Sequence, residues 1–137
     1  MLAAMERNRA LFAVLDDEPQ FGKALARLLK SHGFEVVTFT RGEDLFDACE
    51  SRLPNCLLLD LHMPGLNGFE VLERLAPRGV PVLVITGHDQ PGNAERVRQL
   101  GALRYFLKPV NESQLRAAID EILALDENDT KPQPDAT

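Results

Sequence analysis

Tryptophan is absent from this 137-residue sequence, which also has a single tyrosine and only two cysteines. The core must therefore consist mainly of aliphatic side chains, with seven phenylalanines as its larger members. Cys49 and Cys56 are too few for a disulfide framework, and we expect both to be small buried residues. Apolar runs of the ~20 residues needed to cross a bilayer are also missing, which argues against a membrane-spanning protein.

Positive charge is in short supply as well. The chain has 21 acidic and 15 basic residues, for a formal net charge of -6. This balance argues against nucleic acid or an anionic membrane as a direct partner. The first ten residues, MLAAMERNRA, mix charges into a short apolar stretch and do not resemble a secretion signal. Together these features predict a cytoplasmic protein. We also expect a monomer or a weak dimer.

Five short apolar runs alternate with amphipathic stretches along most of the chain. The runs are rich in Val, Leu and Phe, which is typical of buried strands, and the stretches between them have helical periodicity. Five such units predict a single doubly wound α/β domain, flavodoxin-like, with a parallel sheet in the order 2-1-3-4-5. We expect a polar lead at 1–9, the domain at 10–125 and a disordered tail at 126–137. The predicted strands are LFAVLD (11–16), FEVVTF (34–39), CLLLD (56–60), VPVLVIT (80–86) and RYFLK (104–108).

Polar side chains follow the strands at the edge where ligands bind in this class of sheet. Asp16 and Asp17 end the first strand and Asp60 ends the third, and these two strands are neighbours in the predicted order. Thr86 ends the fourth strand and Lys108 the fifth. Crowded carboxylates need a compensating positive charge. Lys108 supplies one, and the oxygen-rich cluster favours Mg²⁺ as another.

A carboxylate in such a site can act as a nucleophile and form an aspartyl phosphate. Asp60 is the best candidate because it stands alone at the end of an apolar strand. Asp16 and Asp17 are better placed to hold metal. A lysine, a hydroxyl and Mg²⁺ around one carboxylate are suited to stabilising a phosphoryl group during transfer.

These motifs resemble the receiver domain of response regulators in two-component signalling. The resemblance covers roughly residues 10 to 125 and rests on DDE, LLLDLHMPGLNGFEVL, VLVITG and GALRYFLKP, in that order. It implies that Asp60 accepts a phosphoryl group from a histidine kinase or phosphotransfer protein. It implies that Asp17 ligates Mg²⁺ directly and Asp16 largely through water. The backbone carbonyl of His62 would complete the protein's share of the metal shell.

The resemblance also assigns the switch. Thr86 would hydrogen-bond the new phosphoryl group and Lys108 would pair with it, through a Lys–Pro bond that is usually cis in the family. Tyr105 matches an aromatic residue whose ring turns inward on activation, which changes the surface of helix 4, strand 5 and helix 5. Such a protein is a regulator that catalyses its own phosphoryl uptake and hydrolysis, not an enzyme with a separate substrate.

Three other functions remain open from the sequence. A Mg²⁺-dependent phosphatase with an aspartyl nucleophile generally needs an acid two residues beyond it, where this chain has His62. A flavin- or nucleotide-binding module needs a phosphate loop after strand 1, which DDEPQ does not provide. A pseudo-receiver would signal without phosphorylation, although the five site residues at the strand ends are present. We do not expect the His62 side chain to bind metal, because the sequence suggests no second His or Cys beside it.

Two features bear on the output of the switch. Val110 stands after Lys–Pro where many receivers have Phe, which puts the dimer face of one large subfamily in doubt. No DNA-binding output domain is visible in the sequence. We therefore expect a separate downstream protein to respond to the phosphorylated state, unless the chain is part of a longer regulator.

Overall fold

The computed structural model describes residues 10–63 and 67–130, with side chains described as far as residue 124. The predicted lead at 1–9 and the loop residues 64–66 lie outside the described residues. Five strands and five helices alternate along the chain. They are β1 (Leu11–Leu15), α1 (Pro19–Ser31), β2 (Glu35–Phe39), α2 (Gly42–Cys49), β3 (Cys56–Leu59), α3 (Gly68–Leu75), β4 (Val82–Thr86), α4 (Asn93–Gln99), β5 (Arg104–Leu107) and α5 (Glu112–Thr130).

The strands form one parallel sheet in the order β2-β1-β3-β4-β5, which confirms the predicted fold. β1, β3 and β4 are buried along their whole length, as expected for runs without polar alternation in the middle of a covered sheet. β2 and β5 are partly exposed because they lie at its two edges. The order reverses between β1 and β3, where ligands bind in this class of fold.

Helices cover both faces of the sheet, and each face has its own apolar cluster. Alternate residues of the central strands point to opposite faces, so Leu57 and Leu59 pack with α2, α3 and α4, whereas Leu58 packs with α1 and α5. Cys49 belongs to the first cluster and Cys56 to the second. Both are buried, which confirms their expected place in the core, and this burial raises the pKa of each thiol.

Asparagine side chains cap two helices. Asn67 Oδ1 accepts the N–H of Glu70 at 3.1 Å, and Asn111 Oδ1 accepts the N–H of Gln114 at 3.0 Å. Asparagine is among the residues preferred at this position. The far end of α5 differs from the sequence prediction, because the helix continues to Thr130, whereas we expected a disordered tail from residue 126. The tail residues after 130 lie outside the described part of the chain.

Within the described ranges, no helix combines the length and the apolar character that a membrane span requires.

Candidate functional site

Three carboxylates meet where β1 and β3 end side by side. Leu15 and Leu59 are register partners, and the N–H of Asp60 donates to the Leu15 carbonyl at 3.0 Å. This pairing places Asp60 beside Asp16 and Asp17. One oxygen from each carboxylate lies within 4.8 Å of the others. Asp16 is 3% exposed and Asp60 5%, so two of the three charges are almost fully removed from water.

Lys108 reaches this cluster from the end of β5. Its Nζ lies 2.8 Å from Asp16 Oδ2 and 3.8 Å from Asp60 Oδ2, and its side chain is 14% exposed. Burial alone would lower the pKa of Lys108, but hydrogen bonds to Asp16 and Glu18 outweigh it and raise the pKa. The lysine is therefore a fixed positive charge at neutral pH. The peptide bond between Lys108 and Pro109 is cis, as the family resemblance implied.

The carboxyl group of Asp60 has an unusual proton affinity. Burial, followed by repulsion from Asp16, raises its pKa from 3.8 to about 6. The N–H of His62, which donates to Asp60 Oδ1 at 3.2 Å, and the charge of Lys108 oppose this rise without cancelling it. Asp60 is thus a buried, weakly stabilised carboxylate whose charge a cation would favour.

The donor set fits a hard divalent cation. Three carboxylates offer oxygen ligands within a small volume, and Mg²⁺ is bound through one or two carboxylates together with retained waters. Asp16, Asp17 and Asp60 are the residues that would hold it. The backbone of His62 lies beside Asp60, while the role of its carbonyl as a ligand stays a prediction.

Thr86 and two histidines line the neighbouring strand end. Thr86 is 0% exposed, and its Oγ1 accepts the N–H of His88 at 3.2 Å. This leaves the hydroxyl proton free to be donated. The rings of His62 and His88 lie 4.6 Å apart, with a tilt of 59°, and His62 Nε2 is buried without a hydrogen-bond partner. Our reason for discounting His62 as a ligand was therefore wrong, although no histidine in the described ranges joins a three-residue metal cluster.

Tyr105 lies on β5, which β4 separates from the strand that ends at Asp60. Its Cα is the register partner of Val84, and its ring packs against the apolar cluster under α2, α3 and α4. The hydroxyl donates to Asp89 Oδ1 at 2.9 Å. Burial and this hydrogen bond both raise the pKa of Tyr105, so the phenol is protonated at neutral pH. An inward turn of the ring would have to break its bond to Asp89.

Sequence reasoning missed three residues that the structure places at the site. Glu18 hydrogen-bonds Lys108, and Asp89 hydrogen-bonds Tyr105. Gly68 packs so closely on the chain after β3 that a Cβ there would lie 2.6 Å from the Asp60 carbonyl oxygen. The third acid of DDE was a usable signal for Glu18. The positions of Asp89 and Gly68 depend on loop geometry that residue spacing does not reveal.

A groove of about 630 Å³ lies elsewhere, between α1 and α5. It is lined by residues such as Leu28, Phe34 and Ile119 and by none of the predicted site residues. We assign the chemistry to the carboxylate cluster because the buried acids, the Lys108 ammonium and the raised pKa of Asp60 are found there.

The chain is similar in sequence and in fold to proteins of one family. The family model of the response regulator receiver domain matches residues 12–120. Protein PilH of Pseudomonas aeruginosa is 32% identical over 119 residues, which are 84% of this chain and 98% of PilH. Several other curated relatives are longer, and the chain spans between 27% and 55% of their length.

Two solved structures share the fold. A receiver protein from Burkholderia phymatum is 38% identical, with a TM-score of 0.77 over 85% of this chain and 96% of that one. A CheY-like receiver domain from Methanospirillum hungatei has a TM-score of 0.82 at 25% identity, over 88% of this chain and 98% of that one. The match to the family model, the shared fold and the cluster of acids at the strand ends lead to one conclusion: this chain belongs to the response regulator receiver domain family.

Proposed function

We propose that this protein is a phosphorylation-dependent switch in which Asp60 accepts the phosphoryl group. Receiver domains are phosphoacceptor regulators, not enzymes with a separate substrate. The carrying observation is that Asp60 is 5% exposed, lies 3.8 Å from the Lys108 ammonium and shares a cluster with two further carboxylates. A nucleophile, a fixed cation and metal ligands therefore converge on one point.

The step follows from the positions of the groups. An oxygen of Asp60 forms a bond to phosphorus while the bond from phosphorus to the donor breaks, and its electron pair leaves with the donor. Lys108 stabilises the negative charge on the transferred oxygens, and Thr86 is positioned to donate its hydroxyl proton to one of them. Asp16, Asp17 and Asp60 would hold Mg²⁺, which would supply further positive charge to the site.

Receiver domains take the phosphoryl group from a histidine kinase or a phosphotransfer protein and act on downstream targets. For this chain we propose a separate downstream protein that recognises the surface formed by α4, β5 and α5. The movement of Thr86 towards the phosphoryl group would leave space for Tyr105 to turn inward. Phosphorylation needs only to favour this arrangement over the resting one. We also retain a cytoplasmic location and action as a separate domain as proposals.

Acetyl phosphate with Mg²⁺, followed by intact mass measurement, tests the assignment of Asp60. We expect wild type to gain the mass of one phosphoryl group and Asp60→Asn to gain none, because the amide is nearly isosteric but is not a nucleophile. Asp47→Asn is the matched control, since Asp47 is exposed on α2. An adduct of undiminished yield on Asp60→Asn would show that another residue is the acceptor. No adduct on wild type would refute the proposed function.

A further inference from the structure

The ammonium of Lys108 has two close carboxylate partners, and neither of them is the proposed acceptor. Its Nζ lies 2.8 Å from Asp16 Oδ2 and 2.7 Å from Glu18 Oε1, both within hydrogen-bond range. The distance to Asp60 Oδ2 is 3.8 Å, which is an ion-pair contact but not a hydrogen bond. Lys108 is therefore held more closely by Asp16 and Glu18 than by Asp60.

The Glu18 side chain pairs with Lys108 and does not cap its helix. It occupies the N-cap position of α1, where a side-chain oxygen often accepts a helix N–H, yet it makes no such bond. Its carboxylate extends to Lys108, which lies 90 positions away in the sequence. The hydrogen bond from Lys108 lowers the pKa of Glu18. The N–H of Glu18 donates to Asp16 Oδ1 at 2.9 Å, which fixes the residue over the site.

A second contact draws Lys108 towards the same helix. Its Nζ lies 4.2 Å from the centre of the Phe21 ring, in the first turn of α1. Glu18 and Phe21 together hold the ammonium at the α1 side of the site. An ammonium has three N–H donors, and Asp16 and Glu18 occupy two of them. The third donor remains for a phosphoryl group on Asp60, and drawing Nζ closer to that group competes with its contacts to Glu18 and Phe21.

We propose that Glu18 is a positioning residue that holds Lys108 back from Asp60 and thereby slows phosphoryl uptake. This inference rests on the proposed function and adds one residue to it. The Glu18 side chain is 66% exposed, so solvent weakens its pair with Lys108. Release of an exposed ion pair predicts an increase in the uptake rate of about two- to fivefold.

Two substitutions separate the contact from the charge. Glu18→Ala removes both. Glu18→Asp keeps the charge but draws the carboxylate back by about 1.5 Å, the length of one carbon–carbon bond, and so out of hydrogen-bond range. Neither removes a side-chain cap, because Glu18 makes none. Glu112→Ala is the control, since Glu112 is an exposed acid in the first turn of α5, close to Lys108 in the sequence.

The uptake rate is measured by intact mass with acetyl phosphate, at Mg²⁺ concentrations that saturate each variant. We expect Glu18→Ala and Glu18→Asp to react about two- to fivefold faster than wild type, and Glu112→Ala to match it. A Glu18→Asp rate equal to wild type, with only Glu18→Ala faster, would mean that charge alone matters and would overturn the positioning role. Unchanged or slower rates in both variants would also overturn it.

A second measurement does not need a phosphoryl donor. The NMR signals of the Lys108 side chain should shift in Glu18→Ala and Glu18→Asp and stay in place in Glu112→Ala. Unshifted Lys108 signals would refute the contact, while phosphoryl uptake by wild type would leave the proposed function standing. Failure of wild type to take up phosphoryl would refute the proposed function and the role of Glu18 with it.

Discussion

Replacing Asp60 by Asn should stabilise the metal-free protein, although it removes the proposed acceptor. Burial and the charge of Asp16 raise the pKa of Asp60 to about 6, from an ordinary value of 3.8. Each pKa unit corresponds to 1.36 kcal/mol, so ionised Asp60 costs the folded state about 3 kcal/mol at pH 7. Asparagine carries no charge and keeps an oxygen that can accept the N–H of His62.

The effect has a definite dependence on pH. Above about pH 6, Asp60 is ionised in both the folded and the unfolded protein, and the folded state bears the full cost. Between 3.8 and about 6 the folded protein keeps a proton that the unfolded chain has lost. The free energy of unfolding of wild type therefore falls as pH rises through this window. Asp60→Asn lacks this loss. The excess of its free energy of unfolding over that of wild type should therefore grow from near zero at about pH 4 to about 3 kcal/mol at pH 7.

Urea unfolding in EDTA, from about pH 4 to about pH 7, measures this difference directly. Asp47→Asn provides the control, because Asp47 is exposed and its substitution should leave the pH profile of wild type unchanged. Saturating Mg²⁺ should reduce the difference in free energy of unfolding between wild type and Asp60→Asn, since a bound cation offsets the cost of the Asp60 charge. A gap that does not vary with pH, or an Asp60→Asn protein less stable than wild type at pH 7, would refute the reasoning.

Three further predictions concern metal, switching and hydrolysis. Mg²⁺ at 100 times its dissociation constant should stabilise wild type by about 2.7 kcal/mol, and Asp17→Asn should lose most of this gain; a melting temperature unaffected by Mg²⁺ in wild type would contradict it. Thr86→Ala should still take up phosphoryl but lose much of the change that beryllofluoride and Mg²⁺ produce at Tyr105. Fluorine NMR of fluorotyrosine follows this change. Equal changes in wild type and Thr86→Ala would refute the coupling between Thr86 and Tyr105. His88→Ala should change the rate of dephosphorylation, because the His88 N–H binds Thr86 Oγ1 and its ring packs on His62; equal phosphoryl lifetimes would return His88 to an ordinary surface position.

The fold was predictable because its signals are local and repeated. Unbroken apolar runs such as CLLLD and helical spacing such as that of Leu25 and Leu29 need no long-range information. Handedness and strand order then follow from general rules for parallel sheets. The end of α5 was harder to place, because residues 126–130 are polar and match both a solvated helix turn and a tail. Helix ends are set by small energy differences that composition does not resolve.

The site was predictable to the extent that strand ends determine it. Asp16, Asp60 and Lys108 each follow a strand directly, so the sheet order alone brings them together. Partners contributed by loops were not predictable in this way. Asp89 meets the Tyr105 hydroxyl and His88 meets His62 because of the path of the chain after β4, and nothing in the residue spacing specifies that path.

The charges of the site link its stability to its chemistry. Among the described residues, the carboxylates of Asp16, Asp17, Asp60 and Glu18 cluster around the ammonium of Lys108. Four negative charges and one positive leave a formal excess of three negative charges when all are ionised. Two of the carboxylates are almost fully buried, where an uncompensated charge is most costly. A divalent cation relieves this repulsion, and removal of one carboxylate relieves part of it as well. A substitution that stabilises the metal-free fold must therefore weaken the response to Mg²⁺, because both effects arise from the same repulsion. Stability, metal affinity and phosphoryl uptake are thus coupled at these positions, and no substitution there should change one of them alone.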